Sequence, residues 1–286
     1  MTPSRANGSK PPGAGSDSSR SAGGGGSRRK AAAGPVVRVL ADADTVARAA
    51  AGELVRIARK VQSKGRELCV ALSGGSTPKR TYELLAEPPF RDMVDWKRVR
   101  IFFGDERCVP PDHPDSNYRM AREAMLSKLP LAPEHVHRIE AERADLDAAA
   151  ADYQAEIARA FDVPRAGPPP PFDVVLLGLG PDGHTASLFP GTLALQERER
   201  WVVPNFVPEL DSYRMTVTYP LIDRAAQVIF LTAGDEKASI VAEVLEGPPD
   251  PERLPSQRVH PTKGVLMWIV DTAAASKLTH TKVTRG

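Results

Sequence analysis

Short apolar runs recur along the chain, separated by segments of helical period and by clusters of glycine, proline and aspartate. VVRVL (36–40), ELCVALS (67–73), VRIFFGDER (99–107), DVVLLGL (173–179), AQVIFLTAG (226–234) and GVLMWIVD (264–271) are too short to span a membrane. They are apolar enough to be strands buried on both faces. Between them, Val46, Ala50, Leu54 and Ile57 predict a helix opened by an Asp44 N-cap and running to about Gln62, with Gly65 as its stop. Further helices are predicted after Pro78, over about Ser116–Leu129, over 145–161 and over 235–246. HVHRI (135–139) and WVVPNF (201–206) read as additional strands. RMTVTYP (214–220), which alternates apolar and polar residues and leaves little room for a crossover, reads as an antiparallel part. Strands alternating with helices predict an α/β fold, a mostly parallel sheet covered on both faces.

Composition changes this picture at one end. Residues 1–34 are Gly, Ser, Ala, Pro and Arg/Lys with almost no large apolar side chain, so a disordered tail is expected there. No apolar stretch follows its charges, which argues against a secretory signal. Its SRRK cluster is a candidate partner-binding or nucleic-acid-binding tail, weighed against a simple solvated one. A single domain is expected over 35–276, with 277–286 as a C-terminal tail. Lys and Arg number 38 against 36 Asp and Glu, a net +2 that predicts neither a nucleic-acid nor a membrane partner. Two cysteines, Cys69 and Cys108, offer neither a disulfide framework nor metal-ligand spacing and suit a reducing cytoplasm.

The chemistry gathers where strands end. In a parallel sheet all carboxyl ends lie along one edge, where ligands bind. ALSGGSTP, IFFGDER and LLGLGPDGH each run from apolar strand to glycine to polar residues. The topology therefore draws Ser73, Gly74, Gly75, Ser76 and Thr77, then Asp105–Arg107, then Asp182–His184, toward one crevice. SGGSTP suits a helix start, with Ser76 or Thr77 as cap and Pro78 in the first turn, and the same N–H groups suit a phosphate. ALSGG also approximates a nucleophile elbow at Ser73, and Gly178–Gly183 formally matches GxGxxG. Neither reading has its usual surroundings, since no triad is otherwise supported and no acid ends a second strand at the right distance. His184 is the candidate general base, oriented by Asp182, Asp105 or Glu106. Arg107, Arg214 and Lys237 are candidate anion contacts.

Taken together, ALSGGSTPKRTYELL, IFFGDERCVPPDHPDSNYRMAREAML and DVVLLGLGPDGHTASLFPGT resemble the 6-phosphogluconolactonase family, over about residues 36–271. The resemblance implies the Rossmann-like three-layer α/β/α sandwich of the glucosamine-6-phosphate deaminase/ribose-5-phosphate isomerase group. It implies hydrolysis of 6-phospho-D-glucono-1,5-lactone without organic cofactor or catalytic metal. It further implies His184 as general base, with Ser73–Thr77 and Arg107 lining the sugar-phosphate site. It suggests a functional link to glucose-6-phosphate dehydrogenase, which makes the lactone. An amino-sugar phosphate deaminase is the nearest alternative, but its histidine block reads DGHIAFNEP where this chain has DGHTASLFP. A non-catalytic sugar-phosphate sensor is the alternative from another class.

Overall fold

The computed structural model describes residues 34–286; the tail expected over residues 1–34 lies outside them, apart from Gly34. Val36–Leu40 forms β1, and Ala43–Gln62 forms α1. The N-cap of α1 is Asp42 rather than the expected Asp44. Its carboxylate accepts from Thr45 N at 2.8 Å while Thr45 Oγ1 accepts from Asp42 N at 3.0 Å, a reciprocal box that Asp44 cannot form. Asp44 instead pairs with Arg48 and Arg80. β2 (Leu68–Leu72) and α2 (Ser76–Leu85) follow.

The run expected as one strand over 99–107 divides at Gly104 into β3 (Val99–Phe103) and β4 (Asp105–Arg107). Gly104 donates to Leu72 O on one side and accepts from Val217 N on the other, so the chain leaves one sheet and enters another at this residue. α3 (Asn117–Ala124) is shorter than expected, because Met125 departs from helical geometry and only a 3₁₀ turn, Leu126–Lys128, continues it. HVHRI is not a strand; it contributes one bridge, Val136 to Ile101. Then come α4 (Leu146–Ala160), β5 (Val174–Leu177), β6 (Val202–Val207), β7 (Ser212–Val217) and α5 (Tyr219–Ile222). β8 (Gln227–Thr232), α6 (Ala238–Glu246), β9 (Val265–Asp271) and β10 (Val283–Arg285) complete the order.

Seven strands form a sheet in the order β10-β1-β9-β8-β5-β2-β3, every pair parallel, with helices flanking it. β2 and β5 are buried along their whole length, which is why both read as unbroken apolar runs. β4, β7 and β6 make a small antiparallel sheet, as the alternation of RMTVTYP predicted. Residues 277–286, expected as a tail, carry β10, which pairs with β1 from Val37 to Val39. Glu246 fixes its approach by accepting from the backbone N–H groups of Thr279, His280 and Thr281. With three Thr, a His, two Lys and an Arg around an isolated Leu278 and Val283, the segment has no apolar run, so this pairing is invisible to hydrophobic patterning.

From β2 the next strand lies to one side, β3, whereas β5, β8 and β9 succeed each other on the opposite side. The reversal between β2 and β5 opens a crevice at the carboxyl edge of the sheet.

Candidate active site

The crevice is a cleft of two lobes. One, of about 310 Å³, is walled by Ser73–Thr77, Asn117, Gly178–Pro181, Thr232 and Lys237. The other, of about 350 Å³, is walled by Asp182, Ser187, Phe189, Glu209, Leu210 and Arg214. Asp105, Arg107 and His184 line both, so they stand where the lobes meet.

After β5 the chain turns through Gly180–His184, closed by Gly180 N donating to His184 O at 2.9 Å. His184 Nδ1 lies 2.6 Å from Asp182 Oδ1, and the same carboxylate oxygen accepts from His184 N at 3.1 Å. Phe189 stacks on the imidazole with ring centres 3.9 Å apart. Because a carboxylate only accepts, Nδ1 carries the proton, and in the neutral ring Nε2 then presents its lone pair, without a hydrogen-bond partner among the described residues. Partial burial pushes the Asp182 carboxyl up, but the hydrogen bonds and charge of His184 outweigh it and hold the group below its ordinary value. Gly183, at φ +82°, is the turn residue that a side chain would strain. Its carbonyl accepts from Ser256 Oγ at 2.8 Å and Ser256 N at 3.0 Å, so the proline-rich loop after α6 holds the histidine turn from behind.

Of the three acids considered as the partner of His184, Asp182 is the one in hydrogen-bond contact with its ring. Asp105 does not touch the imidazole: its carboxylate accepts from Ser187 Oγ at 2.7 Å and from Asn117 Nδ2 at 3.2 Å. It lines the cleft as a fixed acceptor. Glu106 is buried and accepts from Ser116 Oγ, Asn117 N and Tyr118 N, where it serves the start of α3. Burial pushes its carboxyl up against these hydrogen bonds.

The SGGST loop reaches the cleft as expected, but with a different cap. Gly75 is the N-cap, at φ 107°, and no side chain caps α2; neither Ser76 nor Thr77 does so. The first N–H groups of this ten-residue helix are therefore open at the cleft wall. Ser73 O and N are both held by Tyr82 Oη, at 2.8 and 3.0 Å. Ser73 Oγ is buried without a hydrogen-bond partner, so the nucleophile-elbow reading has no base beside its hydroxyl. No helix opens at Gly183, which removes the dinucleotide reading of GxGxxG. Lys237 Nζ donates to Leu179 O at 3.0 Å, placing its ammonium in the first lobe. Arg107 and Arg214 face each other across the β4–β7 pair.

Asn117 and Thr232 were not singled out from the sequence. Asn117 is buried, ties Asp105 by backbone and side chain, and packs where a Cβ on Gly74 would sit. Nothing in its own spacing marks it; only the meeting of β4, α2 and α3 does. Thr232, at the end of β8, lines the same lobe as Ser73, just past the end of β2, and is like it a buried hydroxyl without a partner. Among the described residues no cluster of three or more His, Cys, Asp or Glu is placed to hold a metal ion. Nor is any helix among them long and apolar enough to cross a membrane.

A family model described as glucosamine-6-phosphate isomerases/6-phosphogluconolactonase matches residues 41–268. The 6-phosphogluconolactonase of Synechocystis sp. is 42% identical over 224 residues, covering 78% of this chain and 89% of that one. The structure of 6-phosphogluconolactonase from Trypanosoma cruzi superposes with a TM-score of 0.77 at 33% identity, covering 87% of this chain and 98% of that one. A monomeric glucosamine-6-phosphate deaminase superposes with a TM-score of 0.70 at 19% identity, covering 85% of this chain and all of the other, a likeness of fold alone.

Proposed function

The chain belongs to the family of glucosamine-6-phosphate isomerases and 6-phosphogluconolactonases, and from that premise we propose that it hydrolyses 6-phospho-D-glucono-1,5-lactone to 6-phospho-D-gluconate, the lactone-opening step of the oxidative pentose phosphate pathway, with His184 as general base. The observation that carries this reading is the His184–Asp182 pair at the meeting point of a cleft with an uncapped helix N-terminus and Lys237 on its wall.

The lactone carbonyl is already electrophilic, so the protein has only to deliver water and manage charge. Water at His184 Nε2 gives its proton to the ring as its oxygen bonds to C1, and the carbonyl electron pair moves onto oxygen. Asp182 stabilises the imidazolium that forms and keeps the ring in register. Arg107, at the junction of the lobes, is placed to meet the developing oxyanion. When the tetrahedral intermediate collapses, the carbonyl re-forms, the bond from C1 to the ring oxygen breaks and the imidazolium returns its proton to that oxygen. The carboxylic acid left at C1 loses its remaining proton to solvent to give the carboxylate. The open N–H groups of Ser76 and Thr77 with the Lys237 ammonium anchor the distant phosphate, and the binding energy there holds C1 against the base. The Ser73 and Thr232 hydroxyls supply unused hydrogen-bond capacity to sugar hydroxyls between. The unpaired cysteines fit a cytoplasmic enzyme, beside the dehydrogenase that supplies the lactone.

The test is lactone hydrolysis at slightly acidic pH, with the substrate generated in place and 6-phosphogluconate followed by its own dehydrogenase. Acceleration over spontaneous opening that disappears in His184→Ala supports both reaction and base. A wild-type protein that leaves the spontaneous rate unchanged overturns the reading and turns attention to glucosamine 6-phosphate.

A further inference from the structure

The small sheet carries an arrangement that the hydrolytic step alone does not require. Arg107 of β4 and Arg214 of β7 are direct partners in antiparallel register, a position where like charges repel. Arg107 donates to Asp115 O, and Arg214 Nη1 donates to Ser212 Oγ at 2.7 Å and Tyr213 O at 3.0 Å. Among the described residues neither guanidinium has a carboxylate within ion-pair distance. Both are half-buried, and burial first, then the Arg107 charge, lower the Arg214 pKa from its ordinary value. Two planar cations are thus held side by side on the second lobe with no ion pair of their own, although the Asp105 carboxylate of the same lobe offsets part of their charge, and Arg107 continues to His184 at the junction.

The product of the proposed reaction has two anions, the phosphate and a carboxylate created at C1. The first lobe already provides for a tetrahedral phosphate with helix N–H groups and an ammonium. With the phosphate there and C1 at His184, what extends beyond C1 enters the second lobe. Guanidinium forks match planar carboxylates in two-point contact, whereas an ammonium does not. We propose that Arg214, paired with Arg107, is the C1-carboxylate subsite: it gathers the charge that develops on the lactone carbonyl oxygen and then holds the carboxylate of the product. This assignment rests on the lactonase reading and makes Arg214 a residue that separates substrate from product.

The test compares two ligands that differ at C1 only, 6-phospho-D-gluconate and D-glucitol 6-phosphate, by calorimetric titration of the full-length wild type, Arg214→Gln, Arg214→Lys and Lys237→Gln. Wild type is expected to prefer the carboxylate ligand by about 10- to 100-fold, the range of a charged hydrogen-bonded contact. Arg214→Gln should erase most of that preference while leaving glucitol 6-phosphate within about threefold of its wild-type affinity. Arg214→Lys should restore only part of it, and Lys237→Gln should weaken both ligands alike. Equal weakening of both ligands in Arg214→Gln and Arg214→Lys, with wild-type melting temperatures, would place the arginine on the phosphate and overturn the assignment. So would a wild type that accelerates lactone opening yet binds the two ligands equally. A wild type without lactone hydrolysis refutes the enzymatic reading instead, independently of the ligand preference.

Discussion

Gly180→Ala tests the geometry of the proposed catalytic pair, His184 and Asp182, with one methyl group. A Cβ on Gly180 would stand 2.0 Å from His184 Nδ1, 2.2 Å from His184 Cε1 and 2.7 Å from Asp182 Oδ1. Ordinary van der Waals contact begins at 3.4 Å, so the imidazole must retreat by about 1.4 Å. Phe189 bounds one face of the ring, and the methyl intrudes at the atom that carries the Nδ1–H···Asp182 bond, so the pair cannot move as a unit. A displacement of about 1 Å at a reacting group is enough to cost on the order of 100-fold in rate. The proposed phosphate contacts are the first N–H groups of α2 and Lys237, whereas the three atoms nearest the methyl all belong to His184 and Asp182, and Gly180 itself is not among the glycines with positive φ. The expected result is therefore kcat reduced by about 100-fold, with KM changed by less than about threefold and a melting temperature close to wild type. Steady-state lactone hydrolysis with a thermal melt measures all three. A kcat within threefold of wild type would refute the claim that His184 works from the position fixed by Asp182. A KM that rises while kcat holds would mean that the turn binds substrate and performs no chemistry.

Other outcomes follow from the same contacts. Ser256→Ala removes one of two hydrogen bonds to Gly183 O and should lower kcat by about 3- to 10-fold at constant KM; a change in KM alone would detach Ser256 from the histidine turn. Asp223 is pushed up from 3.8 to about 7, by burial first, against the His260 N–H and the Arg258 charge. A carboxyl raised on folding binds more protons in the folded state, so stability falls as pH rises from about 4 to 7. Asp223→Asn should flatten that slope and gain up to about 4 kcal/mol at pH 8, and identical slopes in urea titrations of the two proteins would refute it. Deleting 279–286 unpairs the β1 edge from β10 and strips Glu246 of its donors. It should lower the melting temperature by about 2–8 °C with kcat unchanged, and a loss of activity would show that the edge strand matters to the cleft.

The part of the fold that was legible is the part where burial dictates composition. β2, β5 and β8 are central strands, so their apolar runs announced them, and β3, at the edge of the sheet but buried at four of its five positions, read the same way although its end at Gly104 did not. Their parallel pairing brought Ser73, Asp105 and His184 to one edge. What was not legible depends on choices between equivalent polar groups. Asp42 and Asp44 are both sound N-caps by residue type, and only the reciprocal bond from Thr45 decides between them. Asp105, Glu106 and Asp182 are all acids at strand ends, and which one reaches the imidazole depends on a turn geometry set by Gly180 and Gly183. β10 and Asn117 act through pairing partners far away in sequence and carry no periodic mark of their own.

The division at Gly104 explains why one short segment can serve two purposes. Had 99–107 continued as a single strand of the large sheet, side chains would alternate between its two helix-covered faces, and at most alternate residues would meet the edge. Crossing at Gly104 instead turns β4 over the carboxyl edge and pairs it with β7. Asp105 is then fixed by Ser187 and Asn117, Glu106 is turned inward onto the start of α3, and Arg107 is set opposite Arg214. A Cβ at position 104 would stand 3.3 Å from Leu72 O, a tight approach that the glycine relieves. Charge at the junction of the two lobes is thus a consequence of strand topology. Altering the bend should move Arg107 and Asp105 together, leaving the His184–Asp182 pair, which hangs from β5, in place.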